Sequence, residues 1–250
     1  MAQAVIAHPL EPLFEDWQRG LAIVAHPDDL EFGAAAAIAR WTAQGKQIVY
    51  CLVTSGEAGI DAMAPGQARL VREAEQRAAA AVVGVEVVEF LGQPDGVVEY
   101  GVPLRRVLAR VVRRHRPEIV ITTNFRDTWD GTGVLNQADH RATGRAILDA
   151  VGDAGNRWVF PELLAEGLAP WSGVTQVWAA GSPDARHGVD VTATFVQGVA
   201  SLRAHAAYLH GLGSGAFDPE TFLAAIGRAA GVRLGTQYGA AFEVFYCASR

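Results

Sequence analysis

The chain has 250 residues, of which 50% are hydrophobic and 19% charged, enough apolar material for one large core or two smaller ones and too much for disorder, collagen or a coiled coil. With 21 basic against 27 acidic residues the net charge is -6, which argues against a nucleic-acid partner. Two cysteines, Cys51 and Cys247, form neither a disulfide framework nor a four-thiolate zinc site, so any metal must sit on His and carboxylates. The longest uncharged apolar stretch, Gly33 to Ala39, is far short of the roughly 20 residues of a spanning helix. The first residues carry acids where a signal peptide carries Lys or Arg, and the expectation is a soluble, cytoplasmic protein without a membrane partner.

In chain order, runs rich in β-branched residues predict strands at Leu21 to Ala25, Lys46 to Thr54, Val85 to Phe90, Glu118 to Thr123 and Val174 to Ala180. Between them, apolar residues at three- and four-residue spacing predict helices at Glu31 to Gln44, Gln67 to Val83, Pro103 to Arg114 and Ala138 to Val151. Strands alternating with helices define an α/β fold: a three-layer αβα, Rossmann-like arrangement with a mostly parallel sheet and helices on both faces. Phe125 to Gln137 reads as a long loop. Beyond Ala180 come helical stretches at Thr192 to His210 and Pro219 to Ala230, then a strand at Phe242 to Cys247. No linker divides the chain, so residues 1–250 are expected to form a single domain, with a core of about 18–182 and a C-terminal extension of about 183–250. A homo-oligomer is as compatible with this pattern as a monomer.

The first strand empties into His26-Pro27-Asp28-Asp29, and the carboxyl ends of strands are the ligand face of an open α/β sheet. No G-x-G-x-x-G follows, which excludes the usual dinucleotide fingerprint. One His and one Asp on this turn can take a metal and leave the second Asp for proton transfer. The same residues also fit a helix start, with Asp28 and Glu31 spaced as a capping box and Asp29 as an N-cap. A third ligand decides between these readings. Asn136-Gln137-Ala138-Asp139-His140 follows the strand ending at Thr123 and begins a helix, so one fold can bring it beside the first turn, with two His and one Asp leaving an open position for water.

Taken with Thr54-Ser55-Gly56-Glu57, Arg72-Glu73-Ala74-Glu75 and Leu91-Gly92-Gln93-Pro94-Asp95-Gly96, these two segments give the chain a resemblance to the LmbE-like, or PIG-L, family of zinc-dependent N-deacetylases. The resemblance implies that His26, Asp29 and His140 bind zinc, or another divalent ion, and that Asp28 is the general base. It also implies that Arg72 and Asp95 face the substrate and that Asp139 supports the metal ligands. The expected reaction is removal of an N-acyl group, chiefly N-acetyl, from an amino sugar or related small metabolite. The family's second motif reads His-x-Asp-His, and here Gln137 replaces its first His. Gln137 can donate an N–H to an oxyanion but cannot titrate. Two alternatives follow: a family scaffold that binds a small molecule or partner with weakened or lost hydrolysis, and an amidase on a non-sugar amide.

His205 resembles a site-proximal His of the family's C-terminal helix only loosely, and a structural His is an equal reading. His115, His187 and His210 lack convergent partners and are expected to be structural. Arg110 to Arg116 reads as a solvated helix end whose cations complement the helix dipole. Gly211 to Gly215 is a flexible loop with no Lys-Ser/Thr after it, and Glu57 and Asp130 are loop carboxylates without an assigned catalytic role.

Overall fold

A computed structural model describes residues 8–129, 133–212 and 217–247. The elements run β1 (Glu11–Pro12), β2 (Arg19–Val24), α1 (Ala35–Ala43), β3 (Gln47–Leu52), α2 (Pro65–Val82), β4 (Val87–Phe90), α3 (Val102–His115) and β5 (Ile119–Thr123). There follow α4 (Ala138–Gly155), α5 (Glu162–Ala165), β6 (Gln176–Ala180), β7 (His187–Asp190), a short 3-10 turn at Thr192–Thr194, α6 (Phe195–Arg203), α7 (Ala206–Gly211), α8 (Pro219–Leu234) and β8 (Gly239–Tyr246).

The strands form one sheet in the order β1-β7-β8-β6-β5-β2-β3-β4. Only β8 runs against its neighbours, pairing antiparallel with β6 and β7. Residues alternate between two cores. Ala22, Val24, Tyr50, Leu52, Ile121 and Trp178 face the layer that holds α1, while Leu21, Ile23, Cys51, Val53, Val120 and Val177 face the layer of α3 and α4. A period of two with both faces apolar is the signature of a strand covered by helices on both sides, which confirms the expected α/β class. The C-terminal extension adds β7 and β8 to this same sheet.

Successive βαβ units place β3 and β4 on one side of β2 and β5 and β6 on the other. The strand order therefore reverses between β2 and β5, and a crevice opens at their carboxyl ends. The His26-Pro27-Asp28-Asp29 turn leaves β2 at that point, and the segment leading to α4 leaves β5 there.

Four local expectations are corrected. The helix expected from Glu31 begins at Ala35, and no side chain caps it. The capping-box reading fails because Asp28 bonds elsewhere, in a left-handed conformation with φ of 84°. The stretch Thr192 to His210 is a 3-10 turn and two helices, broken at Ala204 and His205. The basic run is also not wholly solvated, since Arg113 is buried and donates to the carbonyls of Ala154, Asp153, Asn156 and Val159 at 2.8–3.3 Å. A cation at these last carbonyls satisfies groups that a helix end leaves without partners. β1 and β7, only 2 and 4 residues long, carry too little alternation to be recognised from sequence.

Because Arg113 ties α3 to the C-terminal end of α4, Arg113→Met should destabilise the fold by about 2–3 kcal/mol through unsatisfied buried carbonyls. A shift of the urea midpoint at unchanged slope would measure it.

Candidate active site

The turn after β2 is held from within and from α2. The His26 N–H donates to Asp29 Oδ2 at 2.9 Å. The Asp28 N–H, turned by the positive φ, donates to Gln76 Oε1 at 2.8 Å, and Gln76 Nε2 donates to Glu31 Oε1 at 3.1 Å. A short polar side chain tolerates this backbone region better than an apolar one, and fully buried Gln76 compensates the displaced N–H.

Arg72, also from α2, is 3% exposed. Its Nη2 donates to Asp28 Oδ2 at 3.0 Å and to the Pro27 carbonyl at 2.6 Å, and its Nη1 donates to the Gly56 carbonyl at 3.2 Å. Glycine is required on the facing loop: a Cβ at Gly56 would lie 2.7 Å from the guanidinium carbon, and one at Gly59 2.1 Å from Nη1. The neighbouring acids brace the same region. Glu73 accepts from Ser55 Oγ at 2.7 Å, and Glu75 accepts the N–H groups of Ala207 and Tyr208 at the start of α7.

Two imidazoles meet one carboxylate across the crevice. His26 Nδ1 lies 3.2 Å from His140 Nε2, and His140 Nε2 lies 2.9 Å from Asp29 Oδ1. Two ring nitrogens this close cannot both carry protons toward each other, whereas both can direct lone pairs at a shared cation. The opposite ring edges are engaged from behind. His26 Nε2 is 3.1 Å from Asp95 Oδ1 and 3.3 Å from Asp139 Oδ2, and His140 Nδ1 is 3.0 Å from Asn136 Oδ1. Such partners fix the tautomer and orientation of imidazoles that ligate a metal.

A second set, His26 with Asp95 and Asp139, also brings ligand-type atoms within 4.8 Å of one another. Its carboxylates are already bonded: Asp139 accepts from Gly96 and Val98 N–H at 2.7 and 3.0 Å, and Asp95 from Ala58 N–H at 2.7 Å. Asp29 and His140, in contrast, line a cavity of about 570 Å³. His26, Asp29 and His140 are therefore the residues that could hold a metal with a face open to a ligand.

The charge balance favours a cation. Burial opposes charge on His26, yet Asp29, Asp139 and Asp95 raise its proton affinity well above that of an ordinary histidine. Burial would also raise Asp29, but the His140 and His26 imidazoles outweigh it and hold this carboxyl below its usual range. Asp28 behaves oppositely. Burial pushes its carboxyl up to about 7, with the Arg72 guanidinium opposing and the Asp29 charge reinforcing that rise.

Asp28 and Gln137 line the cavity with Asp29 and His140. Arg72 and Asp95 do not. Arg72 holds Asp28 and Asp95 holds His26, and Asp139 lies against the same imidazole. His205 is fully buried, with Nε2 3.5 Å from Glu31 Oε2, and Glu57 accepts from the Asp95 and Ser55 N–H groups. His115 pairs with Glu89 and His187 approaches Glu11. Asp130 and Gly213 to Gly215 lie outside the described residues.

Tyr208 is a cavity residue that the sequence did not disclose. Its ring stacks under Arg72 at 4.0 Å, and burial together with Asp28 pushes its phenol up. The only local signal was one Tyr three residues beyond His205.

The chain is an open α/β sheet that carries a His-Asp-His cluster able to hold a metal at the point where its strand order reverses. The sequence pattern of the PIG-L family, GlcNAc-PI de-N-acetylase, matches residues 21–151, and the chain belongs to that family. It is 31% identical over 161 residues to the diacetylchitobiose deacetylase of Thermococcus kodakarensis, a match covering 64% of this chain and 58% of that protein. The chain thus spans less than two thirds of that relative's length. Its fold is similar to the N,N'-diacetylchitobiose deacetylase of Pyrococcus horikoshii, with a TM-score of 0.83, 23% identity, and coverage of 93% and 85% of the two chains. It is also similar in fold to GalB, the 4-carboxy-2-hydroxymuconate hydratase of Pseudomonas putida KT2440, at a TM-score of 0.75, 21% identity, and coverage of 93% and 98%.

Calorimetric titration with Zn²⁺ should show one site per chain, lost in His140→Ala and in Asp29→Ala. Asp139→Asn should weaken it about 10–100-fold by releasing His26 from its carboxylate partner, and metal should raise the melting temperature of the parent protein.

Proposed function

We propose that this protein is a metal-dependent hydrolase that removes an N-acyl group, chiefly acetyl, from an amino-sugar-type or related small metabolite. The observation that carries the reading is the placement of Asp28 beside Asp29 and His140 on the wall of one cavity. The activity of the Thermococcus relative, deacetylation of diacetylchitobiose by its name, supports it.

Zinc suits a donor set of two imidazoles and one carboxylate, and held there it would polarise the amide carbonyl and acidify a water molecule. The remaining work falls to the protein's own side chains. Arg72 binds Asp28 Oδ2, fixing the carboxylate and leaving proton exchange to the other oxygen. With its carboxyl raised to about 7, Asp28 is poised to take a proton from water near neutral pH and return it to the departing amine. In this reading Gln137, on the cavity wall, supplies an amide N–H donor to the oxyanion, and Tyr208, on the same wall beside Asp28, a hydroxyl that stays protonated. Asp95, Asp139 and Asn136 keep the imidazoles oriented.

A second reading is a scaffold that binds N-acyl compounds without hydrolysing them. Gln137 favours it, because an amide cannot exchange a proton with the leaving group as an imidazole can.

Amine release from N-acetylated glucosaminides by zinc-loaded protein separates the two. Asp28→Asn should keep zinc and lower kcat about 10²–10⁴-fold; undiminished turnover would remove Asp28 as the base. Turnover by the parent chain supports hydrolysis with Gln137, and Gln137→Ala should then lower kcat about 10²–10³-fold. Turnover only in Gln137→His would support the binding scaffold.

A further inference from the structure

Beyond its reactive floor, the cavity is poorly suited to a bare sugar. Phe32, Trp129, Val134, Phe222 and Ile226 form its walls, and Phe222, Ile226 and Ala230 recur at four-residue spacing along the face of α8 that lines it. Phe32 and Phe222 pack edge to face at 5.6 Å, continuing the apolar wall from the turn after β2 to α8. Small residues at the ends of β6 and β8, among them Ala180, Gly181 and Ala241, leave the space between open. Among the described residues, the polar side-chain groups on offer, apart from Asp28, Asp29 and His140, are Thr123, Gln137, Tyr208 and the indole N–H of Trp129.

This inventory has two chemical consequences. Each sugar hydroxyl removed from water needs a hydrogen-bond partner, and the α8 wall supplies none from its side chains. An anionic substituent fares worse: no Lys or Arg lines the cavity among the described residues, and residues 130–132 and 213–216 contain neither. Among the described residues the carboxylates that line the cavity are Asp28 and Asp29. An alkyl or aryl group, in contrast, gains by leaving water against Phe222, Ile226 and Ala230.

We infer that the substrate is an uncharged N-acyl amine carrying an alkyl or aryl group, which packs on the α8 wall while the amide reaches Asp28 and His140. This inference rests on the hydrolase reading above and names its substrate class. The apolar group can belong either to the acyl chain or to the amine side of the amide.

The test compares kcat/KM of the zinc-loaded protein for N-acetylglucosamine, its 6-phosphate, its hexyl β-glycoside and N-hexanoylglucosamine. At least one hexyl compound should exceed N-acetylglucosamine by about tenfold or more, and which one identifies the end that meets α8; the 6-phosphate should be the poorest. Ile226→Lys, at a position 42% exposed and so able to accept a longer side chain, should bring the hexyl preference close to unity with an unchanged circular dichroism spectrum. Equal kcat/KM with and without the hexyl group, or preference for the phosphate, would overturn the inference while leaving the deacetylase reading intact. If no compound is hydrolysed, the hydrolase reading fails and calorimetric binding decides the substrate class by itself. Binding of a hexyl compound about tenfold tighter than N-acetylglucosamine would uphold the apolar requirement, and equal binding would overturn it.

Discussion

Four carboxylates, Asp28, Asp29, Asp95 and Asp139, converge on the carboxyl end of β2 and are buried or nearly so, and the surrounding structure is organised to neutralise them. Unpaired, such charges could not remain ionised away from water. Each is given a different cation or donor. Arg72 takes Asp28, the imidazoles of His26 and His140 take Asp29, and Asp95 and Asp139 share the far edge of His26 while accepting backbone N–H groups from the loop before α3 and the turn after β3. The imidazole edges left facing each other are where a divalent ion would complete the balance.

That arrangement explains why α2 matters as much as the site turns themselves. Its residues from Arg72 to Gln76 reach three separate segments: Arg72 and Gln76 hold the turn after β2, Glu73 holds Ser55, and Glu75 caps α7 and so places Tyr208. A change in this helix would be felt in the geometry of the turn and in stability together, because the side chains that orient Asp28 also keep its charge tolerable. The two glycines facing Arg72 extend the same constraint to the loop after β3.

The cavity divides its work between elements of different origin. The groups proposed to react come from the ends of β2 and β5, where the reversal of strand order opens a crevice. Much of the apolar wall comes from α8 and β8, the last elements of the chain. In the proposed reading, the groups assigned to the reaction and the apolar wall that meets the substrate therefore belong to separable parts of the chain.

Sequence by itself determined the α/β class, because residues alternating between two apolar faces, spaced by helical periods, admit few other folds. It also marked His26, Asp28, Asp29 and His140 as candidates, since crowded ligand-type residues at strand ends are a local signal. It did not disclose that Asp28 leaves the helix start for Arg72, 44 residues away, or that Arg113 caps α4. Nor did it place Arg72 and Asp95 behind the site, recruit Gln76 and Tyr208, or turn the Phe222-Ile226-Ala230 stripe toward the cavity. Those outcomes were decided by tertiary structure, for a physical reason: a side chain's periodicity states that it needs a partner, but which partner it finds depends on segments brought together only when the sheet is assembled.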